Sequence, residues 1–354
     1  MVTTDDNNVP TLHTNPDDIL ELAPKQYNAL LRPRNHGFDN LPDDWKEIYD
    51  PLQHFPDNIY DDLLLEPTYG EWHEAMKKCS LNTAPGISGI TYLLIKKLHP
   101  KVHELLRTFA GIIYRTAIIP MEWKTSQIFP IPKPYDWQFC LERTRPIILL
   151  ECLRKLTVRV INTRLANLCL KHNILRGPNF GGLPGGTTKT PIHILHNTIE
   201  DARNNGKELW IAFQDMSKAF DSIGMTPLRY ALRRIKLPPM AIDFIINLFQ
   251  HRKMKIITNF GLSNELTAAD GIDQGKVISP LIWRIFYDSL LCRIMDDPQL
   301  GYNMNINWPS DLHGNSRCHS TRISALAFFD DTAWIGSSQP SLQQTINISN
   351  GFLT

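Results

Sequence analysis

The chain has 354 residues, 42% of them hydrophobic and 21% charged, with a formal net charge of +1. That length allows one large or two medium domains, and the composition excludes a disordered chain or a disulfide-stapled miniature. No run of eighteen apolar residues occurs, and Met1-Val2-Thr3-Thr4-Asp5-Asp6 lacks both parts of a signal peptide, so no membrane span is expected and the expected location is intracellular, nucleus and/or cytoplasm.

Along the chain, residues 1–75 carry 16 Asp and Glu against four Lys and Arg, while the remainder carries 20 against 33. The larger part is therefore basic, as a nucleic-acid binder would be. Residues 1–60 are rich in Pro, Asp and Asn and read as linker or irregular structure, with a short helix around Ile19 to Leu31. From Tyr69 the spacing of Trp72, Ala75, Met76 and Cys79 is helical. A turn, Ala84-Pro85-Gly86-Ile87-Ser88-Gly89-Ile90, precedes a long amphipathic helix from about Thr91 to Ala117, broken at Pro100.

Trp123 to Lys133 alternates like a half-buried strand, which its prolines restrict to a sheet edge or a strand end. Arg145 to Leu150 is its returning partner. A basic helix, Cys152 to His172, carries Arg154, Lys155, Arg159 and Arg164, either as a solvated face or as a nucleic-acid contact. Gly181 to Gly186 is a flexible loop without the Lys-Ser/Thr of a phosphate loop. Glu208 to Phe213 is a short apolar strand. Thr226-Pro227 opens a helix with Thr as N-cap, and Pro238-Pro239 separates it from the next. Met254 to Phe260 reads as a strand, Ser279-Pro280 opens a helix to about Met295, and Asp296 to His319 reads as a polar loop. Ile323 to Phe329 and Thr332 to Ile335 form a hairpin. Strands and helices mix without a βαβ rhythm, which indicates α+β.

The six cysteines contain no CxxC pair, so buried or incidental thiols are expected, and His313, Cys318 and His319 lack zinc-site spacing. The tip of the hairpin is more informative. Asp330 and Asp331 are adjacent carboxylates at the end of an apolar strand, and like charges so placed raise each other's pKa unless a cation offsets them. A plain turn also accepts Asp. A second apolar strand ends at Asp215, and two such strands side by side would gather three carboxylates able to hold two metals about 4 Å apart for phosphoryl transfer.

Taken together these segments resemble reverse transcriptases, and among them the non-LTR, LINE-like retrotransposon enzymes, over about residues 80–340. Phe213-x-Asp215-x-x-Lys218-Ala219-Phe220-Asp221 looks like the family's first palm motif. Gln274-Gly275-x-x-x-Ser279-Pro280-Leu281 looks like its loop-helix motif, and Phe329-Asp330-Asp331 like its catalytic hairpin. The turn at Ala84 to Ile90, with Lys133 and Arg145-Pro146-Ile147, is similar to the fingers elements.

The resemblance implies an α+β right-hand polymerase with fingers and an antiparallel palm sheet with flanking helices. The thumb would be absent or truncated, since only 23 residues follow Asp331. It divides the chain into an acidic, partly irregular segment 1–68, fingers 69–200 and palm 201–354. Asp215, Asp330 and Asp331 would bind Mg²⁺, with Mn²⁺ as a possible substitute. Lys133 and Arg145 would neutralise the triphosphate, Phe220 would exclude a 2′-hydroxyl, and Gln274 with Gly275 would meet the nucleotide or template. The implied substrates are an RNA template, a DNA primer and dNTPs, within a retrotransposon polyprotein. The alternatives are an inactive remnant that binds RNA or protein, and an RNA-dependent RNA polymerase, which Phe220 disfavours. Four positions depart from the family pattern: Phe329, Asp273, Lys276 and Ser88. The charges of Asp273 and Lys276 are expected near the nucleotide pocket, and Trp123 and Trp210 in the core.

Overall fold

The computed structural model describes residues 1–4, 10–31, 43–134, 137–216, 219–273, 275–308 and 317–353. Gln274, Lys218 and His313 lie outside the described residues. In chain order, β1 (Val2–Thr4), β2 (Pro10–Leu12) and α1 (Pro16–Leu31) precede α2 (Asp43–Lys46), α3 (Tyr69–Lys77), α4 (Tyr92–Lys96), α5 (Pro100–Thr116) and α6 (Met121–Lys124). Strands β3 (Thr125–Pro132) and β4 (Thr144–Leu149) lead to α7 (Cys152–Lys171), α8 (Lys189–Asn205) and β5 (Trp210–Gln214). Then come α9 (Met225–Arg234), α10 (Pro239–Phe249), β6 (Arg252–Thr258), β7 (Gly261–Leu262), β8 (Leu266–Ala268) and α11 (Ser279–Asp296). The last are β9 (Tyr302–Trp308), β10 (Arg317–Ile323), β11 (Ala325–Phe328), β12 (Asp331–Gly336) and α12 (Gln339–Leu353). No helix among the described residues is long and apolar enough to cross a membrane.

The chain forms two compact units. The first comprises Met1–Lys46, Asp50–Leu165 and Phe220–Ser279, and the second Glu47–Tyr49, Ala166–Ala219 and Pro280–Thr354. In the first unit the sheet order is β4-β3-β6-β7, with β8 also on β6. β3 pairs in parallel with β6 only over Thr125 to Ile128, while its antiparallel pairing with β4 continues to Pro132. Pro130 and Pro132 thus fall where β6 no longer needs a partner's N–H. The first half of the strand is interior, which the sequence reading did not foresee.

The acidic front segment departs further from expectation. α1 starts three residues before Ile19, and Ala23 and Tyr27 enter the core formed by Ile128, Ile148, Met254 and Ile256. The Tyr27 hydroxyl shares a 3.1 Å hydrogen bond with that of Thr144. Such burial stabilises by about 1.5–3 kcal/mol per large apolar side chain, so this helix belongs to the unit rather than to a linker. α3 begins in a capping box between Thr68 and Glu71, and Pro100 opens α5 behind the cap of His99. α9 starts at Met225 rather than after Thr226. Gly224 is its N-cap, and the buried carboxylate of Asp270 accepts the Met225 N–H at 3.0 Å.

On the basic face of α7, the side chains whose bonds are seen are tied to other parts of the protein. Arg154 is buried and donates to the carbonyls of Trp123 (2.7 Å) and Leu248 (2.8 Å). Lys155 donates to Ala84 O, and Arg164 grips Glu71 with both Nε and Nη2. Just before α7, buried Glu151 fixes the Ala84–Ile90 turn. Its carboxylate accepts the Ser88 N–H at 2.9 Å and the Ser88 hydroxyl. A Cβ on Gly86 would meet Glu151 Oε1 at 2.4 Å, so only glycine fits there. The serine is thereby explained, because a carboxylate at 88 would face another. Ser88→Asp is expected to cost about 1–3 kcal/mol, seen as a lower urea midpoint, and a simultaneous Glu151→Gln change should recover it. An unchanged midpoint for the single variant would refute this account of the turn.

In the second unit the sheet order is β11-β12-β5, and all its pairings are antiparallel. Ala202, Tyr302, Leu326, Ala333 and Ile335 form its apolar core. The stretch expected as a polar loop, Asp296 to His319, contains β9 and the start of β10, which pair from Tyr302↔Ile323 to Trp308↔Arg317. β5 is an edge strand, so Trp210 is 38% exposed rather than in the core, whereas Trp123 is buried as expected.

Candidate active site

The acidic residues gather at one end of the three-stranded sheet. The last pair between β12 and β5 is Thr332↔Gln214. Asp215 is the residue after Gln214 and Asp331 the one before Thr332, so the same register, continued by one residue, would set them opposite each other. Cross-strand partners share a face, so with Ala333↔Phe213 on one face, Asp331 and Asp215 belong to that face too. Directly opposed residues have Cβ atoms about 4.5–5.5 Å apart, and like charges so placed destabilise the sheet. Asp330 occupies the turn between β11 and β12. Burial pushes its carboxyl above the ordinary range, and the charges of Asp331 and Asp215 push it the same way. None of the three has an ion pair among the described residues.

The opposite face of the same strands is fixed in the core. Gln214 Oε1 accepts from Trp334 Nε1 at 2.6 Å and from the Ser349 hydroxyl of α12 at 2.8 Å. The Thr332 hydroxyl shares a 2.9 Å bond with the buried Tyr287 hydroxyl of α11. The residues beside Asp215 and Asp331 are thus each tied to a helix. The sequence reading passed over Gln214, Trp334, Ser349 and Tyr287, whose only signal was their place next to, or in register with, the acids.

Among the described residues no three His, Cys, Asp or Glu side chains are gathered closely enough to hold a metal as they stand. The three aspartates offer an oxygen-only donor set with one half-buried, repelled member. That chemistry suits a hard divalent cation, which removes the repulsion by binding.

The remaining expected residues lie in the first unit. Lys133 follows β3 directly, and its N–H donates to Arg143 O at 3.0 Å. Arg145 pairs with Ile131, two residues before Lys133, so both cations fall on one face of the ribbon, and both are exposed. Phe220 is half-buried in a short 3-10 turn whose carbonyl accepts the Ile272 N–H at 2.9 Å. The Gly271 N–H returns a 2.9 Å bond to Ile223 O, so the Phe220 turn is tied to the segment leading to Gly275, itself exposed.

Asp273 and Lys276 turn their charges toward partners inside the protein. The Asp273 side chain is fully buried between Arg252 Nη1 and Arg154 Nη2, the latter at 3.5 Å. Against burial, which raises it, Arg252, Arg154 and Lys276 hold the Asp273 carboxyl below its ordinary value. Arg252 also donates to the carbonyls of Phe249 (2.7 Å), Asp270 (2.6 Å) and Gly271 (2.8 Å), and the Ser279 hydroxyl donates to Asp273 O at 2.6 Å. Lys276 turns inward to Ile148 O, and burial brings its pKa down to about 8. These charges hold the ends of the loop that carries Gly275.

Compared with known proteins, residues 131–354 match a family model described as reverse transcriptase (RNA-dependent DNA polymerase). Over 219 residues the chain is 28% identical to the probable RNA-directed DNA polymerase from transposon BS of Drosophila melanogaster, covering 62% of this chain and 24% of that protein. It is 24% identical over 219 residues to the RNA-directed DNA polymerase from mobile element jockey of the same organism, again 62% and 24%. To a Pol polyprotein from the type-1 retrotransposable element R2 of Nasonia vitripennis it is 26% identical over 201 residues, 55% of this chain and 18% of that protein. The chain spans about a quarter or less of the length of these relatives.

Proposed function

The chain belongs to the reverse transcriptase (RNA-dependent DNA polymerase) family, and on that premise we propose that it is the polymerase core of a non-LTR retrotransposon polyprotein, extending a DNA primer on an RNA template. What supports this reading is the register of β12 with β5, whose last pair, Thr332↔Gln214, directly adjoins Asp331 and Asp215, with Asp330 in the turn before β12. Asp215, Asp330 and Asp331 would hold two Mg²⁺ ions, with Mn²⁺ as a possible substitute, and ions bound there supply the charge that acidifies a primer 3′-hydroxyl and offsets that of the triphosphate.

The rest of the work falls to the chain's own groups. Residues 69–200 serve as fingers and 201–354 as palm. Lys133 and Arg145 bind the triphosphate, the guanidinium gripping two oxygens where the ammonium acts as a point charge. Gln274 and Gly275 bear on the nucleotide and template. The ring of Phe220 fills the space that a ribose 2′-hydroxyl needs, which selects deoxynucleotides. The reaction takes place inside the cell, in the nucleus and/or the cytoplasm.

The selectivity is open to direct test. Phe220→Val is expected to raise the kcat/KM of NTP relative to dNTP by about 10–100-fold, the range that one steric contact supplies. The measurement is single-nucleotide incorporation on an RNA template with each nucleotide type. A ratio equal to that of the wild type removes Phe220 from the site, and no RNA-templated incorporation by the wild type removes the reading itself.

A further inference from the structure

The turn bearing the aspartates is strained at its first residue. β11 ends at Phe328 and β12 starts at Asp331, which pairs with it, so Phe329 and Asp330 alone make the turn. Phe329 has φ 58°, a left-handed conformation that a two-residue hairpin usually gives to glycine. For a residue with a bulky side chain this costs about 1–2 kcal/mol. Something must hold it there.

One buried amide meets both backbone groups of that residue. Asn179 Nδ2 donates to Phe329 O at 2.9 Å, and Asn179 Oδ1 accepts the Phe329 N–H at 3.2 Å. The same Oδ1 accepts the Gly181 N–H at 3.0 Å. The pattern fixes which way the amide points, because a flipped amide would set N–H against N–H and oxygen against oxygen. Asparagine is required by the same logic. Aspartate cannot donate to the carbonyl, and it would add a fourth negative charge beside three.

Asn179 is itself held in place. Its strap runs beside β11, with Phe180 N–H on Ala327 O at 2.8 Å and Ala327 N–H on Pro178 O at 2.9 Å. Two side chains one turn apart on α11 secure its ends. Asp288 Oδ1 accepts the Gly177 N–H at 2.8 Å, and Arg284 Nη1 donates to Gly181 O at 2.7 Å. A Cβ at residue 181 would lie 2.9 Å from Phe329 N, so the strap approaches this closely only with glycine. The start of the stretch expected as a flexible loop is therefore a clamp.

We propose that Asn179 is a positioning residue that locks the Phe329–Asp330 turn in its left-handed conformation and so sets where Asp330 and Asp331 point. Its bearing on catalysis rests on the function proposed above, whereas the lock does not.

The test is amide hydrogen exchange of the peptide spanning residues 325–335 in the wild type, Asn179→Ala, Phe329→Gly and the double variant. Asn179→Ala is expected to speed exchange at residues 330–332 by about tenfold or more, with other segments of the second unit unchanged. The double variant should return toward the wild type, because glycine adopts the turn without a clamp. A merely structural loss would quicken exchange throughout and would not respond to Phe329→Gly. If Asn179→Ala does not fold, Asn179→Asp, which removes the donor and adds a negative charge, is expected to speed exchange at residues 330–332 as well. Exchange within about twofold of the wild type, or failure of glycine to restore it, overturns the proposal. Titration with Mn²⁺ alone, followed by electron paramagnetic resonance, gives the second arm. Asn179→Ala should weaken Asp330-dependent binding about tenfold, which the double variant recovers. If Mn²⁺ binding to the wild type does not depend on Asp330, the functional reading fails while exchange still decides the clamp.

Discussion

Asp330→Asn is expected to reduce primer extension on an RNA template by about a thousandfold or more while leaving the fold intact. A cation site supplies several kcal/mol of charge stabilisation in the transition state, and each ~1.4 kcal/mol is a factor of ten in rate. Asparagine keeps the shape of the side chain but not its charge. The fold should not suffer, because burial and the charges of Asp331 and Asp215 already disfavour ionised Asp330. Removing that charge is expected to hold the melting temperature constant or to raise it. Lost extension together with unreduced stability marks a residue kept for chemistry. Extension within tenfold of the wild type would remove Asp330 from the reaction, and a large drop in melting temperature would make it a structural residue.

The second large effect concerns stability. Asp273→Ala is expected to lower the unfolding free energy by about 3–5 kcal/mol, because it leaves buried cations without their counter-charge. Arg154 and Arg252 both point at this one carboxylate, and Lys276 lies close enough to lower its pKa. Urea denaturation of the chain measures the loss. Asp273→Asn should cost less, since its amide oxygen still accepts from a guanidinium. A change below about 1 kcal/mol for the alanine variant would mean that water or an anion replaces the carboxylate without penalty.

These two predictions differ in how far the sequence alone leads to them. The aspartates were legible because apolar runs ended in them, and Ala325 to Phe328 followed by Asp331 to Gly336 can form little else than a hairpin. The starts of α10, with Pro239 as its first residue, and of α11, with Pro280 as its second, were legible because Pro in the first turn of a helix is a local signal. The environment of a single charge is not local. The carbonyls that bind Arg154 lie 31 and 94 residues away, so a row of arginines on α7 looked like a surface. Asn179 is separated from its turn by 150 residues, and nothing in Pro178-Asn179-Phe180-Gly181 distinguishes a clamp from a loop. β9 was a different kind of miss. Tyr302, Met304 and Ile306 alternate with asparagines in strand rhythm, but the polarity of the surrounding stretch masked it. α1 was half-read because its start at Pro16 lies in an acidic, proline-rich context that also suits a linker.

The account depends on the carboxylate after β5 and those at the start of β12, remote in sequence, sharing one cation site. The direct measurement is Mn²⁺ binding to the chain by electron paramagnetic resonance, with Asp215→Asn compared with the wild type at equal fold stability. Because Asp215 directly follows β5 and Asp331 opens the neighbouring β12, the account predicts that this one change weakens binding by about tenfold or more. Equal binding by wild type and variant, or no binding by the wild type at millimolar Mn²⁺, would contradict it.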